Sequence, residues 1–321
     1  MSDGGIWNQY WHYDRIASCF DGAGATNYDE SIAAGWRAFF RDLPEGARIL
    51  DLCSGNGAAA LIGAEIGRID GKRFEIHAVD RADIDPPFYV TRHAEDYAAI
   101  GFHGGTPAED LPFPDASFDA AISQYGIEYS DMAHSLPEAV RVIAPGGLMR
   151  LVVHAADGAV AAGARAVIAD ADLLLDEFDL TGCAARCFTA VLAVERPPAA
   201  GDTGEADRAF AAFQAALERA ARHIPAAHDK SMFRNTGAVL LDSFSRRGAF
   251  DIEQLLAKSE AIDGEIRAHR GRLVALVDAA LDRAGGEAMA ETMRALGGQD
   301  CACRPLTSAD GLIGYVAEAR F

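Results

Sequence analysis

The chain has 321 residues, half of them hydrophobic, and its 48 acidic against 29 basic side chains leave a net charge of -19. A chain of that length buries a large core, while that charge repels polyphosphate backbones and anionic lipid surfaces, so no nucleic-acid partner is expected. No run approaches the roughly 18 to 20 apolar residues of a membrane span, and no basic segment followed by an apolar one opens the chain, so a cytoplasmic protein without membrane insertion is expected.

In chain order, the first feature is aromatic. Trp7, Tyr10, Trp11 and Tyr13 form either a wall against a cationic centre or the apolar face of a capping helix. "RILDL", Arg48 to Leu52, reads as the first strand. A glycine turn at Ser54 to Gly57 and an Ala-rich helix to about Ile66 follow it, and "FEIHAVD" supplies a second strand ending at Asp80. "FDAAIS" is a further strand ending at Ser123, "LPEAVRVIAPGG", Leu136 to Gly147, reads as a helix stopped by Pro145 and the two glycines, and "LMRLVVH" is again a strand. This alternation predicts an α/β fold, a doubly wound Rossmann-like sheet.

Beyond His154 the period becomes helical, with Phe210, Phe213, Leu217 and Ile224, then Leu255, Ile262, Ile266, Leu273, Val277 and Leu281, at helix spacing. "EAMAETMRALGG" is a short helix, and "GLIGYVAEARF" closes the chain as a strand. Residues 1–154 and 285–321 are therefore expected to form the α/β core with N-terminal capping helices. Residues 155–284 read as a large helical insertion before the last strands, serving as a lid over the substrate or as a homodimer contact. Cys19, Cys53, Cys183, Cys187, Cys301 and Cys303 are expected to be reduced thiols, and their spacing is not that of a metal site.

"DLCSGNGAAA" joins a strand to a helix, and Gly55 and Gly57 bring no Cβ between a ligand and the backbone. Ligands of open α/β sheets lie at the carboxyl ends of the strands, where Asp80 can accept hydrogen bonds from a ribose diol. A nicotinamide dinucleotide fits Gly55-Asn-Gly57-Ala-Ala-Ala60 followed by Asp80. S-adenosylmethionine (SAM) fits as well, and Asp51 favours it: a carboxylate attracts a cationic ligand and repels a pyrophosphate.

"ILDLCSGNG" resembles the first motif of the class I SAM-dependent methyltransferases. "AEDLPFPDASFDAAIS" and "EAVRVIAPGGLMRLVV" are similar to two later motifs of the small-molecule members, and "YDRIASCFD" is similar to the N-terminal helix of the ubiquinone/menaquinone branch. The resemblance covers residues 13–153 and the final strand. It implies that Asp51, Gly55 and Gly57 contact the methionine part of SAM, Asp80 the ribose, and Ala108 and Glu109 the adenine. Tyr13, Cys53, Asn56, Arg81 and Gln124 complete the expected cofactor set. Cys53 stands where the family usually has its first glycine, and Pro107 where many members have an aspartate that bonds the adenine amino group.

The expected activity is in-line methyl transfer to nitrogen, oxygen or sulfur of a small molecule, an amine being preferred. The alternatives are an NAD-dependent oxidoreductase and a non-catalytic SAM-binding interaction protein. The family often carries a His pair just past the fourth strand; Glu128 and Tyr129 occupy those positions, and His154 follows the next strand, so these three are the catalytic candidates. Glu128 either meets an ammonium or is a helix-start acid facing water. Tyr10, Trp11, Tyr125 and Arg234 are the substrate candidates, Arg234 with His228 and Lys230 as a charged group for a substrate carboxylate. "DPPFY" at Asp85 to Tyr89 matches an amino-group methyltransferase signature, but it comes too early in the chain to serve as one and reads as a loop stiffened by Pro86 and Pro87.

Overall fold

The computed structural model describes residues 3–17, 27–28, 30–196 and 201–321. Cys19, the end of "YDRIASCFD" and the proline pair of the Arg196 to Gly204 linker lie outside the described residues. In chain order come α1 (Asp3–Trp11), α2 (Glu30–Asp42), β1 (Arg48–Leu52), α3 (Ala58–Asp70), β2 (Glu75–Val79), α4 (Pro86–Tyr89), α5 (Ala94–Tyr97) and β3 (Ile100–His103). Next are β4 (Phe118–Gln124), α6 (Met132–Val142), β5 (Ile143–His154), α7 (Ala159–Asp172) and α8 (Leu180–Glu195). The chain continues through α9 (Thr203–His223), α10 (Lys230–Ser245) and α11 (Ile252–Ala279), then α12 (Arg283–Ala295), β6 (Gln299–Ser308) and β7 (Gly311–Arg320).

Among the described residues, seven strands form one sheet in the order β3-β2-β1-β4-β5-β7-β6. The first five run parallel, and β7 is antiparallel to both β5 and β6. The order reverses between β1 and β4, which leaves a crevice at their carboxyl ends. Both faces of β1 are covered: Ile49 packs with Trp36, Phe40 and Leu61, whereas Leu50 and Leu52 pack with Leu136 and Val142 on the other side. An apolar run without polar alternation is what a strand buried on both faces requires.

The helical insertion lies between β5 and β6. Residues 1–162 with 275–321 form one compact unit and residues 163–274 a second. The second unit has its own core, in which Phe188, Phe213, Phe233, Leu240 and Leu255 are buried. The helix-spaced residues Phe210, Leu217, Ile224 and Ile262 pack partly buried against it.

Three expectations are corrected. The helix expected to be stopped by Pro145 and the two glycines already ends at Val142, and Ile143 to Gly147 open β5. Ile143 pairs with Phe118 in the ladder, Pro145 lacks the N–H a helix would need, and the N–H of Phe321 reaches the Gly147 carbonyl at 3.0 Å. The described part of "YDRIASCFD" is irregular chain, since α1 ends at Trp11. There the Asn56 amide donates to the carbonyls of Trp11 and Arg15 (3.1 and 2.8 Å), taking two acceptors a continuing helix would use. "DPPFY" is one helical turn rather than a loop, with Pro86 at its start and Phe88 exposed.

Candidate active site

The loop leaving β1 is held open by backbone conformation. Cys53, Gly55 and Gly57 all have left-handed φ, at 53°, 52° and 73°. Asp80, at the end of β2, stitches this loop to its own: one carboxylate oxygen accepts the Gly55 N–H at 2.7 Å and the other the Ala82 N–H at 2.8 Å. Burial pushes the Asp80 carboxyl up, and the two backbone donors work against that rise. Asp51 is more deeply enclosed, 2% exposed, and accepts the Ala60 N–H at 3.1 Å. Burial above all, with the nearby Asp80 charge adding, pushes its pKa up to about 8 against the single backbone donor.

A cavity of about 150 Å³ opens beside these loops. Cys53, Asp80, Arg81, Ala108 and Glu109 line it together with the aromatic rings of Trp7, Trp11, Tyr125 and Tyr129. Ala82, Gly126, Ser130 and Ala275 complete the lining, and none of these four belongs to the expected site. Gly126 makes the close approach of the β1 and β4 ends feasible, since a Cβ there would lie 2.6 Å from the Cys53 carbonyl oxygen. Ser130 sits in the turn before α6, a place a sequence marks only as a helix start. Ala275 arrives from α11, far along the chain, and no local pattern announces it.

Glu109 is clamped on one oxygen by the Asp131 N–H (2.9 Å) and the Arg81 guanidinium (2.7 Å). Burial opposes its ionisation, but these donors prevail and its pKa lies below the usual carboxylate range. Asp51, Gly55, Asn56 and Gly57 do not line the cavity. Asn56 is fully buried and uses its amide to hold the N-terminal segment. The Trp11 indole covers Gly55 so closely that any Cβ would run into it. Gly55→Ala is therefore expected to lower stability by about 2 to 4 kcal/mol, combining left-handed strain with overpacking. Urea unfolding measures this, and a loss under about 0.5 kcal/mol would show that the indole yields freely.

The catalytic candidates Glu128 and His154 meet behind the aromatic wall. Their side chains are fully buried, and one Glu128 oxygen accepts the His154 backbone N–H at 3.0 Å and faces His154 Nδ1 at 2.8 Å. Glu128 is thus no solvent-facing helix-start acid. Tyr125, with φ 55°, stacks on the imidazole at 4.0 Å and 15°, while Tyr129 meets it edge-on at 6.2 Å. Tyr129 also meets Trp7 edge-on at 5.5 Å, so the buried pair and the cavity wall are continuous.

Other candidates are not among the residues lining the cavity. Gln124 accepts the Trp36 indole N–H at 2.5 Å and faces α2. Tyr10 is buried under the Arg15 guanidinium (3.9 Å), whereas Tyr13 is 52% exposed. Arg234, His228 and Lys230 are exposed in the second unit. Glu65, His93 and Asp96 stand close enough to share a cation, but Arg68 already binds both oxygens of Asp96 at 2.7 and 3.2 Å. Among the described residues no helix is long and apolar enough to cross a membrane.

Residues 50–151 match the family described as "Methyltransferase domain". The 2-phytyl-1,4-naphtoquinone methyltransferase of Synechococcus elongatus is 28% identical over 144 residues, covering 42% of this chain and 58% of the relative. The demethylmenaquinone methyltransferase of Thermus thermophilus is 39% identical over 109 residues, covering 33% of this chain and 46% of the relative. The chain thus spans about half the length of the curated relatives it matches. Among solved structures, the protein in complex with a Haloferax volcanii methyltransferase activator is 28% identical, with a TM-score of 0.31 over 39% of this chain and 52% of that one. Residues 50–151 are thus a methyltransferase domain of the class I SAM-dependent kind, set in a sheet of the order β3-β2-β1-β4-β5-β7-β6.

Proposed function

We propose that the chain transfers the methyl group of SAM to a small molecule, in line, onto nitrogen, oxygen or sulfur, with an amine preferred. One observation carries this reading: a single cavity beside the strand-end loops is lined both by the carboxylates Asp80 and Glu109 and by the rings of Trp7, Trp11, Tyr125 and Tyr129. The residues present fit SAM. Each Asp80 oxygen accepts one backbone N–H and keeps a lone pair for a ribose hydroxyl. Cys53, on the loop leaving β1, lines the cavity and is where the methionine part would lie, the buried Asp51 would supply charge to its ammonium, and an acidic lining suits a sulfonium.

Bound SAM supplies an electrophilic methyl group on a positively charged sulfur. The chain's own task is to align the nucleophile and keep water out. The aromatic rings do both, and their faces attract a cationic substrate. Glu128 orients His154 through Nδ1, and His154 supports Tyr125 from behind. The buried pair is the base we assign to receive the proton an ammonium must lose before it attacks. Tyr13, Gln124 and Arg234 have no part in this reading.

A carbon acceptor on a flat quinone-like ring is the second reading, favoured by the same four rings and by the activities named for the two relatives. Purified protein incubated with methyl-labelled SAM and a metabolite extract tests both. Label in an amine supports the first, label on a ring carbon the second, and bound SAM without any labelled product would leave a binding protein.

A further inference from the structure

We infer that Trp11 is a gate: its indole fills the space over Gly55 that the methionine part of the cofactor has to enter, and α1 lifts away before SAM binds. The inference rests on the reading that the cavity takes SAM and concerns how entry to it is controlled. The cavity measures about 150 Å³, whereas pockets that enclose a small molecule run from about 300 to 1,000 Å³. A cofactor with a methyl acceptor beside it therefore does not fit until a wall moves. Cys53 lines the cavity, but Gly55, next but one along the same loop, does not.

Trp11 is what closes that side. A Cβ on Gly55 would collide with the six-membered ring of its indole, so the ring rests directly on the bare backbone. Trp11 is buried, with Trp7 stacked on it at 6.2 Å and 20°. The segment that carries both rings is fastened lightly. Its apolar contacts form a small cluster, in which Tyr10 and Trp11 are buried with Ala82 and Ile84 and partly buried Trp7 and Phe102 pack against them. Its polar ties are mostly at the surface: Asn8 accepts the Asp83 N–H at 2.9 Å, and Asp14 accepts the Thr91 hydroxyl at 3.0 Å and pairs with Arg92 at 3.1 Å. A buried tie, the Asn56 amide on the carbonyls of Trp11 and Arg15, holds the end of α1 about which it turns. Segments with few buried contacts and exposed hydrogen bonds open at a fraction of the global stability. Only the open form receives the ligand, so opening sets the rate of binding.

Stopped-flow mixing of the full chain with S-adenosylhomocysteine tests the gate, and Trp7, which lines the cavity, reports binding by its fluorescence in every variant. In wild type the observed rate should level off with rising ligand, at the rate of opening. D14A releases Thr91 and Arg92 without touching the cavity lining, and should raise that plateau about threefold or more. W11A should abolish the plateau and bind about tenfold faster or more. Because Asp14 is exposed, D14A tests the gate even where loss of the indole costs W11A its fold. A rate that rises linearly with ligand in wild type, or a plateau that neither variant moves, overturns the gate and leaves the cofactor reading intact. Absence of binding to folded wild type at millimolar ligand overturns the cofactor reading itself.

Discussion

Asp51→Asn is expected to make the unliganded protein more stable above neutral pH and its cofactor complex weaker. The Asp51 carboxyl is pushed up to about 8 in the folded chain, against about 3.9 unfolded. The folded state therefore holds its proton more tightly than the unfolded state does. Its stability is intact below the unfolded value and falls as pH rises towards 8, by up to about 1.4 kcal/mol per unit. Asparagine cannot ionise, and its oxygen can still accept the Ala60 N–H. The stability of D51N relative to wild type should thus climb by about 2 to 4 kcal/mol between about pH 5 and about pH 8. Urea titrations at the two ends measure the climb, and a constant difference would contradict it.

The same residue makes binding pH-dependent. A ligand ammonium beside Asp51 favours the ionised carboxylate, so binding releases a proton. Wild-type affinity for S-adenosylhomocysteine should rise by up to about tenfold per pH unit until about pH 8. D51N should bind about 30-fold more weakly at the upper end, with the pH dependence gone. Calorimetry in buffers of different ionisation heat counts the proton directly.

Breaking the Glu128 and His154 pair is the second large effect. Neither side chain touches water, and Glu128→Ala removes the acceptor of both the His154 N–H and the Nδ1 contact. Losing one partner of a buried pair of this kind costs about 3 to 5 kcal/mol. His154→Ala should cost a similar amount, and the double variant less than the sum, with a coupling of about 2 kcal/mol. Because His154 backs Tyr125, whose ring lines the cavity, the surviving folded fraction should also transfer methyl groups slowly. We expect kcat to fall about a hundredfold or more while the Kd for S-adenosylhomocysteine stays within about threefold. Glu128→Gln separates shape from charge: it keeps an acceptor for both donors, so a rate loss in excess of its stability loss marks a proton-accepting role. A stability loss below about 1 kcal/mol in Glu128→Ala would contradict the account of the pair.

What could be read from the chain alone followed local pattern. β1 and β4 are apolar runs closed by turn signals, and Asp80 ends a strand at the expected place. β3 and β6 escaped, because Ile100–His103 has four residues including a glycine, and Gln299–Ser308 is a largely polar edge strand. Side-chain direction was harder still. Asn56 sits inside the glycine turn, yet its partners are the carbonyls of Trp11 and Arg15, some forty residues upstream, so no spacing rule points to them. Gln124 ends β4 next to the site but turns towards Trp36. Glu128 and His154 were each visible as a polar residue past a strand end. That they form one buried pair follows from β4 lying beside β5, a fact of the sheet rather than of either segment.

In the proposed function this cavity holds SAM as the methyl donor. Titration of the full chain with S-adenosylhomocysteine, followed by calorimetry and thermal unfolding, tests it most directly. Saturable binding of one ligand per chain, a rise in Tm, and loss of both in Asp80→Ala are expected. Absence of binding to the folded wild-type chain at millimolar ligand, or undiminished binding in Asp80→Ala, would contradict it.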